Sequence, residues 1–102
     1  MAIKNTSLTT TAANIYVSAG NSATTVLHFC NYSNNTPTAN VWVVPNGSTP
    51  GNNNIIYSNV QLTAQNTLVV DTEKLILANG DAIVANVSAN SSVTATVSYI
   101  GI

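Results

Sequence analysis

The sequence predicts an all-β domain, an antiparallel β-sandwich of Ig-like or jelly-roll-like type with about seven or eight short strands. Three observations predict it. Runs of β-branched and aromatic residues alternate with clusters of Asn, Gly, Ser, Pro and Asp along the chain. No window repeats Ala, Leu, Glu, Lys and Gln at the three- and four-residue spacing of an amphipathic helix. The last run alternates cleanly. Val93, Ala95, Val97 and Tyr99 point one way and Thr94, Thr96 and Ser98 the other, as in a strand with one face on a core.

The elements follow in order. Ala13 to Ser18 reads as the first strand, turned by Ala19-Gly20-Asn21-Ser22. Ala23 to Asn31 is the second, with Leu27 and Phe29 on one face and Val26, His28 and Cys30 on the other. A strand apolar on both faces is either central or covered by a partner. Tyr32 to Thr38 is a loop, and Ala39 to Pro45 is a third strand holding Trp42. Asn46 to Asn53 is the longest breaker stretch. Asn54 to Leu62 is the fourth strand, also partly apolar on both faces, and Thr67 to Asp71 and Lys74 to Leu77 are short ones. Ala78-Asn79-Gly80-Asp81 reads as a tight turn, because Asn-Gly supplies the positive φ angles that two-residue hairpins require. Ala82 to Ser88 and Val93 to Gly101 close the domain. The Thr-rich residues 1–12 are expected to be a flexible N-terminal arm, and residues 13–102 one domain without repeat or linker.

Composition narrows the function classes. Of 102 residues 45% are hydrophobic, enough for a single buried core. Only 5% are charged, none is arginine, and the net charge is -1. Ordinary soluble domains carry roughly a quarter of their residues as charges. Near-zero net charge favours association, and with two lysines the sheet edges have little of the usual protection. A domain that sits against other copies or other proteins follows. The longest apolar runs, such as Val41 to Val44, are far short of the roughly 20 residues of a membrane helix. Met1 to Thr6 has no apolar signal core, so the protein is expected to be made and used without export. Cys30 is the only cysteine, which excludes an intrachain disulfide; with His28 as the only histidine, a structural zinc site is excluded too. The N-x-S/T triplets at Asn5, Asn31, Asn34, Asn46, Asn86 and Asn90 read as chance in so Asn-rich a chain.

Three groups of side chains offer chemistry. His28 and Cys30 share one strand face, but a Cys/His pair needs an orienting group and the sequence identifies none. Packing is the simpler reading. Asp71, Glu73 and Asp81 are carboxylates of the kind that ligate Ca²⁺, but lack the regular spacing of a calcium loop and read as turn acceptors. Trp42 and Tyr57, with Asn52 and Asn53 in the neighbouring loop, form a candidate contact for a partner or a glycan, since aromatic faces stack on sugars. The competing reading makes Trp42 a core residue. Nucleic acid is disfavoured, because phosphate contact needs Lys and Arg. No catalytic residue, metal or cofactor is expected.

One set of stretches is familiar. Asn54-Ile55-Ile56-Tyr57 is followed by Leu62-Thr63-Ala64, by Val69-Val70-Asp71-Thr72-Glu73-Lys74-Leu75-Ile76-Leu77 and by Asn79-Gly80-Asp81-Ala82-Ile83. The chain closes with Ala95 to Ile102, and Phe29-Cys30-Asn31 and Val44-Pro45-Asn46-Gly47 lie upstream. Together these resemble small virion structural proteins of tailed bacteriophages, especially those of marine and cyanobacterial hosts. The resemblance covers most of residues 13–102 and rests on turns and strand ends.

The resemblance implies a non-enzymatic β-sandwich in the particle, without cofactor, assembled in the host cytoplasm. With the composition, it leads to a capsid decoration (cement) protein on the outer head surface, joining capsid subunits through apolar contact and edge-strand pairing. The expected partners are the major capsid protein or other virion proteins and further copies of the chain, not membranes or nucleic acid. Residues 6–12 would act as an arm that orders on the capsid. The alternatives are a tail, neck or fibre-base component and a carbohydrate-binding adhesion module.

Overall fold

The computed structural model describes residues 2–70 and 75–102. Among them are β1 (Ala2–Ser7), β2 (Ala13–Val17), β3 (Ser22–Asn31), β4 (Thr38–Val44), β5 (Ile55–Gln61), β6 (Thr67–Val70), β7 (Ile76–Leu77), β8 (Ala82–Val87) and β9 (Val93–Gly101), and no helix. They form two antiparallel sheets. Sheet A runs β1-β9-β3-β6, with β7 beside β3 on the same edge as β6; sheet B runs β2-β8-β4-β5. The predicted all-β sandwich is therefore the observed fold.

The chain changes sheet at almost every connection. Only β4 and β5 are joined as a hairpin within one sheet, and β6 and β7 follow one another along one edge. Each crossing brings an inward face of one sheet over that of the other. Leu27, Phe29, Val93, Ala95 and Val97 from sheet A meet Ile15, Val41, Ile83, Ala85 and Val87 from sheet B. All are buried, and burying one such branched or aromatic side chain fully contributes about 1.5–3 kcal/mol. At one end the core becomes polar but stays paired. The buried Tyr16 hydroxyl donates to Ser22 Oγ at 2.9 Å, and the Ser18 and Ser22 hydroxyls lie 2.6 Å apart. Ser18 closes the chain by donating to Gly20 O at 2.7 Å. The Tyr16 ring meets that of Tyr99 with centroids 4.4 Å apart, so this pair links the sheets through both π contact and the hydroxyl chain.

Two expectations are corrected. The first concerns residues 1–12. Residues 2–7 are an edge strand in unbroken register with β9, from Ala2 opposite Tyr99 to Ser7 opposite Thr94. Leu8 is buried in the core, and its N–H donates to Val93 O at 2.9 Å. Thr9 O accepts from Val87 N on sheet B, and Thr10 N donates to Asn90 Oδ1. The segment is thus the first sheet-to-sheet crossing, held at both ends, and it raises the strand number to nine.

The second correction concerns Ala78-Asn79-Gly80-Asp81. It joins β7 of sheet A to β8 of sheet B, so it turns a corner between the sheets and is no hairpin. Asp81 N donates to Ala78 O at 3.0 Å, and only Gly80 of the central pair has positive φ, at 87°. That is the type II pattern, which places Gly third.

If residues 1–12 are integral to the fold, Leu8→Ala should lower stability by about 2–5 kcal/mol, read as a fall in the urea midpoint of the pure protein. An unchanged midpoint would mean that this segment behaves as an arm.

Candidate functional site

The aromatic pair singled out in the sequence is divided by sheet B. Trp42 of β4 lies opposite Val84 of β8 and Ile55 of β5. It packs against Val44, Ala82 and Val84, a small apolar cluster separate from the main core. These are the outward positions of the sheet, since Val41, Ile83 and Ala85 point inward. Tyr57 lies opposite Val41 and packs against the main core. The two rings therefore face opposite ways and cannot form one platform. The reason is register: irregularities between Ala39 and Val41 and between Val41 and Trp42 shift the pairing of β5 along β4. At one of them Asn59 takes a φ of 52° and donates its N–H to Asn40 Oδ1 at 2.8 Å.

The Asn-rich loop after β4 is ordered by Asn54. Asn54 Oδ1 accepts from Gly51 N at 3.0 Å, its Nδ2 donates to Thr49 O at 2.9 Å, and its carbonyl accepts from Val43 N. Asn52 and Asn53 are exposed at the tip. The start of this loop borders a shallow hollow of about 300 Å³ on the outward side of sheet B. Val17, Val44, Ala82 and Val84 line it together with Pro45 and Pro50; neither Trp42 nor Tyr57 does.

Of the acidic group, Asp71 and Glu73 lie outside the described residues. The carboxylate of Asp81 works as a turn acceptor. Its Oδ1 accepts from Asn46 N and its Oδ2 from Ala78 N, both at 2.9 Å. Asn79 Oδ1 accepts from Gly20 N at 2.8 Å, and Gly80 N donates to Ser18 O. The loops after β2 and after β4 are thereby tied to this one corner. A Cβ on Gly80 would stand 2.5 Å from Cγ of Asn46, so glycine is required there for space as well as for φ.

His28 and Cys30 lie on the outward face of sheet A. Across the strands His28 is flanked by Thr96 and Val69, and Cys30 by Thr94 and Thr67. Cys30 is exposed. Their register neighbours are hydroxyl and aliphatic side chains, so neither has a carboxylate opposite it to orient an imidazole. Among the described residues no three of His, Cys, Asp and Glu come together as metal ligands.

The surface that sequence reasoning passed over is this same outward face. It gathers Ile3 of β1, Val69 of β6, Ile76 of β7 and Ile100 of β9, all exposed. Register places Ile100, Ala23 and Ile76 in one row across the sheet and Ile3, Ser98 and Val26 in the next. The alternation of the last strand was the available signal, yet the contributing residues come from four separate segments. No family model matches the chain, and comparison with curated proteins and with solved structures gives no match either.

Gly80→Ala should cost about 1–3 kcal/mol, from strained φ and the clash with Asn46. Asp81→Ala should cost a similar amount, roughly 1–3 kcal/mol for two lost acceptor bonds. Because both changes loosen the same loop, the double variant should lose less than the sum; thermal or urea unfolding of all three variants checks this.

Proposed function

We propose that this chain is a non-enzymatic structural protein of a tailed bacteriophage particle, and that it decorates the outer surface of the head, joining neighbouring capsid subunits. The observation that carries the reading is the replacement of charge by Asn, Thr and Ser in a chain of which 5% is charged, together with the resemblance of its strand ends and turns to small virion proteins. A protein that works in many copies at fixed positions gains from neutral surfaces, which can be brought together without like-charge repulsion.

The structure supports the reading in two ways. Its polar side chains are used internally to tie loops together, with no buried side-chain N or O left unpaired among the described residues. Such a scaffold holds its loops by side-chain hydrogen bonds. The groups that would serve an enzyme are separated or occupied: His28 and Cys30 sit on an open sheet face, and Asp81 caps a corner turn. The partners in this reading are the major capsid protein and other virion proteins. The glycan-binding alternative loses its platform, because Trp42 and Tyr57 face opposite sides of sheet B.

The attachment expected of an N-terminal arm passes to the folded body, since residues 2–7 are already paired with β9. Removing residues 1–12 would take away β1 and the buried Leu8 and so would test folding, not attachment.

Antibody–gold labelling of purified particles tests the proposal. Label spread over the head is the expected result. Label confined to tail, neck or fibres would move the protein to a tail or fibre-base role, and particles without label would overturn the virion reading.

A further inference from the structure

The chain contains two Asn-Gly pairs, Asn46-Gly47 and Asn79-Gly80. Both lie at the corner where the loops after β2 and after β4 meet the turn before β8. An asparagine followed by glycine is open to attack by its own backbone. The nitrogen of the next residue can reach the side-chain Cγ and close a five-membered ring. Glycine has no Cβ to obstruct that approach and has the widest choice of backbone angles. In sequence the two sites are alike, but the fold holds them differently.

At Asn79 both reacting groups are occupied. Its Oδ1 accepts from Gly20 N at 2.8 Å, and Gly80 N, the nucleophile of this pair, donates to Ser18 O at 2.8 Å. At Asn46 the anchor is on the other side of the residue. Its own N–H donates to Asp81 Oδ1 at 2.9 Å, which fixes the chain entering the turn. Beyond that point neither the Asn46 side-chain amide nor Gly47 N has a hydrogen-bond partner among the described residues. The amide lies over Gly80, a contact without a hydrogen bond. Asn46, Gly47 and Ser48 are exposed, and a Cβ on Gly47 would meet nothing within 4 Å. The bond that has to open for the Gly47 peptide to rotate is Ser48 N to Pro45 O, at 2.9 Å between two exposed residues.

We infer that Asn46 is a site of spontaneous deamidation in the folded protein, and that the same corner protects Asn79. Gly47 N forms a bond to Cγ of Asn46 and gives up its proton. The Cγ–Nδ2 bond breaks, and Nδ2 leaves with that proton as ammonia. One water then opens the cyclic imide at either carbonyl. Opening on one side gives aspartate. Opening on the other gives isoaspartate, whose main chain runs through Cγ. Solvent water is the only co-reactant. Either product carries a carboxylate where the amide stood, so the net charge becomes one unit more negative than -1. That carboxylate arises on the residue bonded to Asp81, beside the hollow that Gly47 and Gly80 help to line. Two like charges then share the corner, and isoaspartate also lengthens the turn closed by Ser48 N and Pro45 O. The site goes beyond the particle reading and is independent of it, because it concerns the pure protein alone.

The test incubates the full chain in mildly alkaline buffer, folded and, in parallel, unfolded in guanidinium chloride. Peptide mapping by mass spectrometry follows the amide-to-acid conversion at each asparagine, and labelling by an isoaspartate methyltransferase identifies the isomer. In the folded chain Asn46 should convert about tenfold or more faster than Asn79, whose two hydrogen bonds must break first. In guanidinium the two rates should come together, because the pairs are alike in sequence. Asn46→Gln, whose longer side chain cannot close the five-membered ring, should abolish the fast conversion and leave the rate at Asn79 unchanged; circular dichroism confirms that this variant folds. Equal rates in the folded chain overturn the inference, as does an Asn46 that stays intact while the unfolded chain converts. A bias toward Asn46 that persists undiminished in guanidinium also overturns it, since its cause would then be the sequence and not the fold.

Discussion

Asn31 ends β3 in full burial, so every hydrogen bond its amide can make must be found inside the protein. It finds them on both sides of the sandwich. Nδ2 is directed at Asn35 O, Leu62 O and Thr63 O, at 2.8, 3.0 and 3.2 Å. Oδ1 accepts from the N–H and the hydroxyl of Ser33. One side chain thus shapes the loop leaving sheet A and anchors the chain as it returns from β5 of sheet B. The constraint is general in this fold. A chain that changes sheet at nearly every connection must turn its backbone many times near a dry core, where an unpaired amide costs about 1–3 kcal/mol. Asn, Ser and Asp side chains complete those turns, as Asn54 does after β4 and Asp81 at the corner before β8. The abundance of Asn and Ser is in part the requirement of this topology.

That requirement separates two roles of the polar residues. Those in the loops are bound up in hydrogen bonds that fix the path of the chain. Those on the outward face of sheet A, such as Thr94 and Ser98, stand in strand positions where larger or charged residues would also fit. The loop side chains have a structural use of this kind; those on the sheet face, apart from the Thr96–Asn5 pair, are not tied into turns. The proposed function starts from this difference.

The strands from β2 to β9 were legible because their alternation is local: Ile83, Ala85 and Val87 alternate with smaller or polar neighbours, as do Val93, Ala95 and Val97, and each face follows from counting by two. β1 was not, since Lys4 and Thr6 occupy its inward-parity positions and its residues are mostly exposed. It is a strand because β9 offers a free edge, which is a tertiary fact. That the two aromatic rings do not share a face was illegible for a related reason. Trp42 and Tyr57 looked like a pair because both belong to strands flanking one loop, but irregular register decides which faces they share. The exposed isoleucines likewise become neighbours only through the strand order β1-β9-β3 with β7 alongside.

The position of β9 also has a consequence in time. It stands in the middle of sheet A, pairing Tyr99 with Ala2 on one side and with Thr24 on the other. Until residues 93–101 leave the ribosome, β1 has no neighbour and β3 has only β6 and β7. Sheet A therefore cannot close during synthesis from its earlier strands, and loop-closure entropy must be overcome before these distant pairs contribute. A charge-poor, β-rich chain waits through that interval with its core residues exposed. The hazard of this topology is therefore encounters between nascent chains, ahead of any weakness in the finished fold.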